Sequence, residues 1–265
     1  MRCAPGELPP PDPTLHQTGS EGRDGNRGLR ELRLLEHFGM RPSSDILDVG
    51  CGIGRLAYEC ASYLDDDATY TGLDIAPVAI DWLNANYAPR LPGFRFDLLD
   101  VQNERYRPEG TVGPDEVRFP YDDDSFDVVC AFEVFMHVSL EGVRNYLREI
   151  ARVLRPDGLA VVTLVAIYPG ERLERRHQGP REYVQIADGV HTLFPNREAM
   201  SMAYDVGLFR SLLAEAGLDE VELVKGRVHI PRDRRPIAKP GIDLPPISHP
   251  CDLFATRKPA ALDPG

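Results

Sequence analysis

The sequence predicts an α/β fold with a mostly parallel sheet and helices on both faces, on two observations. Short apolar runs alternate with segments whose apolar residues recur at helical spacing, which is the pattern of repeated strand–helix units. The first run, "DILDVG", looks buried and breaks into glycines at positions 50, 52 and 54 before something helical begins. Glycine there lets the backbone bend sharply and lets a ligand approach the chain.

The elements follow in order. Residues 1 to 26 are rich in Pro and Gly and poor in large apolar side chains, so a disordered N-terminal tail is expected. Leu29, Leu32, Leu35 and Phe38 then mark an amphipathic helix that ends near Gly39, with Pro42 beyond. The first strand "DILDVG" is followed by a helical stripe through Leu56, Cys60 and Leu64. "ATYTGLDI" is a second strand, and its helix carries Ile80, Leu83 and Tyr87. "FRFDLLDV" is a third. "FDVVCAFEVF" is a fourth, leading to a helix through Val143, Leu147, Ile150 and Leu154. The turn Pro156-Asp157-Gly158 enters a fifth strand, "LAVVTLV". "LFRSLLAEAGL", "EVELVKGRV" and "CDLFATRK" give a last helix and two last strands. The folded domain is therefore expected over residues 27–258, with a short tail at 259–265.

Two connections break the alternation: an insert at 102–119 and a longer one at 166–204. Long irregular connections are uncommon and often functional. Both leave the carboxyl ends of strands, where open α/β sheets bind ligands. The second is expected to form a substrate lid carrying His177, Tyr183, His191 and Phe194. A third, Pro-rich loop joins the last two strands at 229–249.

Composition narrows the function classes. The chain has 265 residues and a formal net charge of -12. That charge argues against a nucleic-acid partner, because binding phosphates needs clustered Lys and Arg. The arginines at 172, 175, 176 and 181, and at 232, 234 and 235, read as solvated faces or loops. No apolar run reaches the ~20 residues that span a bilayer. The N-terminal stretch lacks the apolar centre of a signal peptide. Five scattered cysteines in no metal spacing read as reduced thiols, and a cytoplasmic location is expected.

The glycine turn is not a dinucleotide fingerprint, because Arg55 stands where G-x-G-x-x-G has its last glycine. It is not a Walker loop either, since no Lys-Ser or Lys-Thr follows. Asp48, two residues before the first glycine, would repel a pyrophosphate but suits an ammonium group. The start of the next helix offers free N–H groups to a carboxylate. A zwitterionic amino acid joined to a nucleoside meets both demands. Asp74, at the end of the second strand, is placed to accept hydrogen bonds from ribose hydroxyls.

Taken together, "LDVGCGIG", "YTGLDI", "FRFDLLDV", "FPYDDDSFDVVCAFEVFMHV" and "LREIARVLRPDGLAVVT" resemble the class I S-adenosylmethionine-dependent methyltransferases. The resemblance runs over about residues 30–165, more faintly over 205–258. It implies a Rossmann-like seven-stranded sheet of order 3-2-1-4-5-7-6, with the seventh strand antiparallel. It also implies S-adenosyl-L-methionine as cofactor. Asp48, Gly50, Cys51 and Gly52 would line its methionine part, and Asp74 and Ile75 its ribose and adenine. Asp100, with Val101 beside it, would meet the adenine amino group. Ala131 and Phe132 would border the sulfonium, and Gly54 would serve close helix packing.

The reaction so implied is methyl transfer to a small-molecule acceptor, with an oxygen of a sugar or natural product as the expected target. Positioning supplies much of such catalysis, and a hydroxyl acceptor often needs a base. His137 in "VFMHV" is the first candidate base, although the position equally suits a histidine packing the site wall. Glu133 is the second, close enough to orient a polar acceptor. "YDDDSFD" reads as a solvated turn rather than a magnesium site, because three consecutive Asp cannot all reach one octahedral ion. Two other readings stay open: a fold that binds the cofactor without methyl transfer, and a protein or nucleic-acid methyltransferase. No Asn/Asp-Pro-Pro-Tyr motif stands where "AFEVF" does, which weighs against methylation of bases.

Overall fold

Leucine, valine and aromatic runs pair into the sheet as their propensity dictates. The computed structural model describes residues 8–15, 27–176, 180–197, 199–226 and 251–260. Its elements begin with α1 (Arg27–His37), β1 (Ile46–Val49), α2 (Arg55–Tyr63), β2 (Tyr70–Asp74), α3 (Pro77–Asn86) and β3 (Phe94–Leu98). β4 (Phe126–Ala131), α4 (Leu140–Val153) and β5 (Leu154–Leu164) follow. Next come the short strands β6 (Ala166–Ile167), β7 (Glu174–Arg176), β8 (Pro180–Glu182), β9 (Val184–Ala187), β10 (Val190–Thr192) and β11 (Met202–Asp205). α5 (Val206–Glu215), β12 (Asp219–Val224) and β13 (Asp252–Arg257) complete the chain.

The main sheet runs β3-β2-β1-β4-β5-β13-β12. Its first five strands are parallel, and β13 lies antiparallel between β5 and β12. This is the predicted order, with β12 and β13 as the sixth and seventh strands of the main sheet. Alternation along β1 divides the core in two. Leu47 and Val49 join the cluster with α4 and α5, while Ile46 joins the one with α1, α2 and α3. Gly72 in β2 is required by close approach, since a Cβ there would stand 2.7 Å from Phe96 and 2.9 Å from the Cys51 sulfur. The N-terminus of α4 is capped by Ser139, whose Oγ accepts from the Gly142 N–H at 3.3 Å.

The structure departs from the expectations at four places. Residues 8–15, expected in a disordered tail, are packed: Leu8 is buried in the core, and the Tyr87 hydroxyl donates to the Pro9 carbonyl at 3.0 Å. A short apolar anchor among prolines leaves little trace in composition. The Pro156-Asp157-Gly158 turn lies inside β5, with Asp157 in the left-handed region and a register shift against β4; such a bulge bends a strand without ending it. The described residues of 166–205 are not irregular but form a small sheet of order β6-β11-β10-β9 and an antiparallel β7–β8 pair. Strands of two to four residues are too short to show periodicity. The insert at 102–119 folds back on the residues that follow β3: Val101 bridges Val112, and Val117 and Phe119 enter the core. The Pro-rich loop at 229–249, most of the tail and His177 lie outside the described residues.

Candidate functional site

A cavity of about 490 Å³ opens at the carboxyl ends of β1, β2 and β4, where a doubly wound sheet leaves its crevice. The glycine bend forms its floor. Gly50, Gly52 and Gly54 all have positive φ, between 54° and 80°. The Gly50 and Cys51 N–H groups donate to the Leu73 carbonyl at 2.7 and 3.2 Å, which ties the bend to β2. A Cβ on Gly52 would meet nothing within 4 Å, so this glycine faces open space. On Gly54 it would stand 2.5 Å from Leu83, which makes this glycine a contact between α2 and α3.

Asp74 organises the bend. Its two carboxylate oxygens accept from Gly52 N–H at 2.7 Å and Ala76 N–H at 2.9 Å. Each oxygen keeps a second lone pair, so the side chain still has capacity for a ligand hydroxyl. Burial raises its pKa, and the N–H bonds oppose that. Ile75, Leu99 and Val101 provide apolar wall beside it.

Three residues expected at the cofactor do not line this cavity. Asp48 points to the other face of β1, as alternation requires two residues after Ile46. There it is 4% exposed, accepts from the Tyr70 hydroxyl at 2.5 Å and lies 3.5 Å from the Cys130 sulfur, and burial pushes its carboxyl up to about 6. Asp100 is taken up by the insert: Thr111 donates to it, and Arg107 pairs with it at 3.0 Å. Ala131 is wholly buried in the apolar core, and Phe132 after it reaches the cavity.

A charged cluster closes one end of the cavity, and its residues in α1 escaped the sequence reading. Gly28 allows α1 to touch the start of α2, since a Cβ there would stand 2.3 Å from the Arg55 carbonyl. That contact brings Arg27, Glu31 and Arg55 to the cavity wall. Glu31 is 6% exposed; burial pushes its carboxyl up to about 8, with Arg55 pulling it back. Arg27 pairs with Glu133 at 2.6 Å. The available signal was Glu31 itself, a charge between Gly28 and Leu35 on the buried stripe of α1. The N-terminus of α2 has no side-chain cap, so its first N–H groups can serve an anion.

From Glu133 onward the cavity wall is polar and aromatic. Glu133 sits at φ 60°, and its N–H donates to the buried Thr163 hydroxyl at 2.7 Å. A non-glycine residue held in that region is a feature of functional turns. His137, at the end of a 3-10 turn (Phe135–His137), lines the cavity with Glu133, Tyr106 and Tyr146. The insert thus contributes Asn103, Tyr106, Pro108 and Pro114 to the wall, which no local pattern in 102–119 announces.

Among the described residues of the segment expected as a lid, Ala199 lines the cavity. Tyr183 is buried with Met136, Val165 and Leu173, Phe194 packs against that group, and His191 pairs with Asp205 at 2.8 Å. Asp123 pairs with Arg152 at 2.7 Å and Asp124 with Lys258 at 2.6 Å, so this acidic run is engaged in surface ion pairs. From the N-terminal segment, Leu15 covers the cavity edge against Ile53, Ala76 and Ala79. Leu15→Ser should weaken binding of S-adenosylhomocysteine by roughly tenfold, the scale of one apolar side chain's burial, and calorimetry measures it. Affinity within twofold of the parent would detach Leu15 from the ligand.

Residues 47–162 match a family model described as a methyltransferase domain. A sterol 24-C-methyltransferase of Gibberella zeae is 33% identical over 168 residues, 62% of this chain and 39% of that protein. Phthiotriol/phenolphthiotriol dimycocerosates methyltransferase 1 of Mycobacterium ulcerans is 33% identical over 164 residues, 59% of this chain and 49% of that protein. The chain thus spans less than half the length of either relative. Among solved structures, an S-adenosylmethionine-dependent methyltransferase from Mesorhizobium loti superposes with a TM-score of 0.57 at 15% identity, over 86% of this chain and 97% of that one.

Proposed function

We propose that this chain is a class I S-adenosylmethionine-dependent methyltransferase, and with that reading an acceptor class and a proton route. The reaction is methyl transfer to an oxygen of a small molecule such as a sugar or natural product. S-adenosylmethionine supplies a methyl group made electrophilic by its sulfonium. The cavity's donor set fits that cofactor. Arg55 and the uncapped start of α2 suit its carboxylate, Glu31 its ammonium, Asp74 its ribose, and Ile75, Leu99 and Val101 its base.

The acceptor reading rests on one observation, the histidine at the polar side of the cavity. A hydroxyl must lose its proton as it takes a methyl group, and His137 is placed to hold that proton. Glu133, kept by Arg27, shapes the polar rim. The cavity volume is that of a site for one drug-sized ligand. With the cofactor in place, a compact acceptor, or the reactive arm of a larger one, fits best. The Mycobacterium ulcerans relative is named for a triol and the Gibberella zeae relative for a sterol carbon. Carbon methylation followed by loss of a C–H proton is therefore the second reading, and His137 would serve it equally.

Incubation with methyl-labelled S-adenosylmethionine and a panel of hydroxylated acceptors tests the proposal. A labelled methyl ether supports it, a label on carbon selects the second reading, and no transfer to any acceptor rejects both. His137→Ala should lower turnover at least about tenfold while S-adenosylhomocysteine still binds. An unchanged turnover number removes His137 as base.

A further inference from the structure

The insert at 102–119 is built around a contact with His137. Asn103 joins the two segments: its Nδ2 donates to the His137 carbonyl at 3.0 Å, and its Oδ1 accepts from the Arg105 and Tyr106 N–H groups at 3.0 and 3.1 Å. One side chain therefore fixes both the backbone of His137 and the turn that presents Tyr106. The Tyr106 hydroxyl then lies 3.3 Å from His137 Nε2, with the rings edge to face at 5.2 Å. Both side chains line the cavity. Arg107, next along, is tied to Asp100 at 3.0 Å, so the turn is held at its other end as well.

We propose that Tyr106 is the proton relay between the methyl acceptor and His137, and that the insert exists to place it. This rests on His137 as the base of the reaction proposed above. Tyr106 donates its hydroxyl hydrogen to Nε2 and turns its oxygen lone pairs to the acceptor hydroxyl. As the acceptor oxygen bonds the methyl carbon, its proton passes to Tyr106 Oη while Tyr106's own proton passes to Nε2. The sulfur keeps the electron pair of the broken C–S bond. The histidinium later gives its proton to solvent, and Tyr106 is regenerated. Burial raises the Tyr106 pKa, so its resting state is the neutral phenol that such a relay needs. The charged groups around it are Arg105, Asp74 and Glu133.

The test reads His137 directly, by ¹⁵N NMR of its ring in protein loaded with S-adenosylhomocysteine. A hydroxyl donating to Nε2 favours neutral imidazole. Its removal in Tyr106→Phe should therefore raise the His137 titration midpoint by about 0.7 pH unit, the scale of one hydrogen bond. It should also release the tautomer with Nε2 unprotonated. Fluorotyrosine at position 106, a stronger donor of the same shape, should move the midpoint the other way. It decides the matter if Tyr106→Phe does not fold. A midpoint that neither change moves overturns the relay while S-adenosylhomocysteine binding leaves the methyltransferase reading standing. Failure of the parent protein to bind S-adenosylhomocysteine overturns that reading and the relay with it.

Discussion

Asp74→Ala should bind S-adenosylhomocysteine at least about 100-fold more weakly than the parent, a loss of roughly 2.7 kcal/mol. Two contributions make the effect large. The substitution removes the acceptor of the Gly52 and Ala76 N–H groups, and charge-assisted hydrogen bonds of this kind contribute about 1.5–3 kcal/mol each. It also removes the carboxylate placed for the ribose hydroxyls. Gly52 carries no side chain to hold its φ of 54°, so without Asp74 the bend has lost its main restraint on the cavity side. Asp74→Asn should fall between the two, because the amide keeps one acceptor and turns a donor toward one of the same N–H groups. Calorimetry measures affinity, and circular dichroism checks that the sheet persists. Binding within threefold of the parent would show that another group organises the bend.

The contrast between Asp74 and Asp48 shows what was legible in the sequence. The strand–helix alternation and the glycine turn could be read because both are local signals, whereas the sheet order was implied by the resemblance to a known family. The need for a carboxylate near the ligand's ammonium was also legible, as chemistry. Its bearer was not. Alternation along β1 sends Asp48 to Tyr70 and Cys130, away from the cavity, and the carboxylate we propose in its place, Glu31, comes from α1. Glu31 arrives there only because Gly28 lets α1 approach Arg55, a contact between segments 27 residues apart. Tyr106 was hidden for the same reason. Its meaning depends on Asn103 reaching His137 across 34 positions, and nothing inside "QNERYRPEG" signals that.

Glu31 makes stability and cofactor uptake depend on pH in opposite senses. Its folded-state pKa of about 8 lies above the ordinary 4.5, because burial disfavours the carboxylate. Between these values the folded protein holds a proton that the unfolded chain gives up. The contribution is therefore complete below pH 4.5 and is lost as pH rises toward and through 8. At about 1.4 kcal/mol per pH unit the loss amounts to roughly 3–5 kcal/mol. Glu31→Gln copies the protonated form and should lose nothing in that window. Urea unfolding should find parent and variant alike near pH 5, and the variant more stable by that amount near pH 8.5. Asp48, raised to about 6, titrates in both proteins and cancels in the comparison. An ammonium arriving beside Glu31 reverses the balance, because it stabilises the carboxylate. Binding of S-adenosylhomocysteine at pH 7 should then release close to one proton, seen by calorimetry in buffers of different ionisation enthalpy. The Gln variant should release none and bind at least about tenfold more weakly, the scale of one charge-assisted contact. If the parent releases no proton and its unfolding curves parallel those of the variant, Glu31 is not the ammonium's partner.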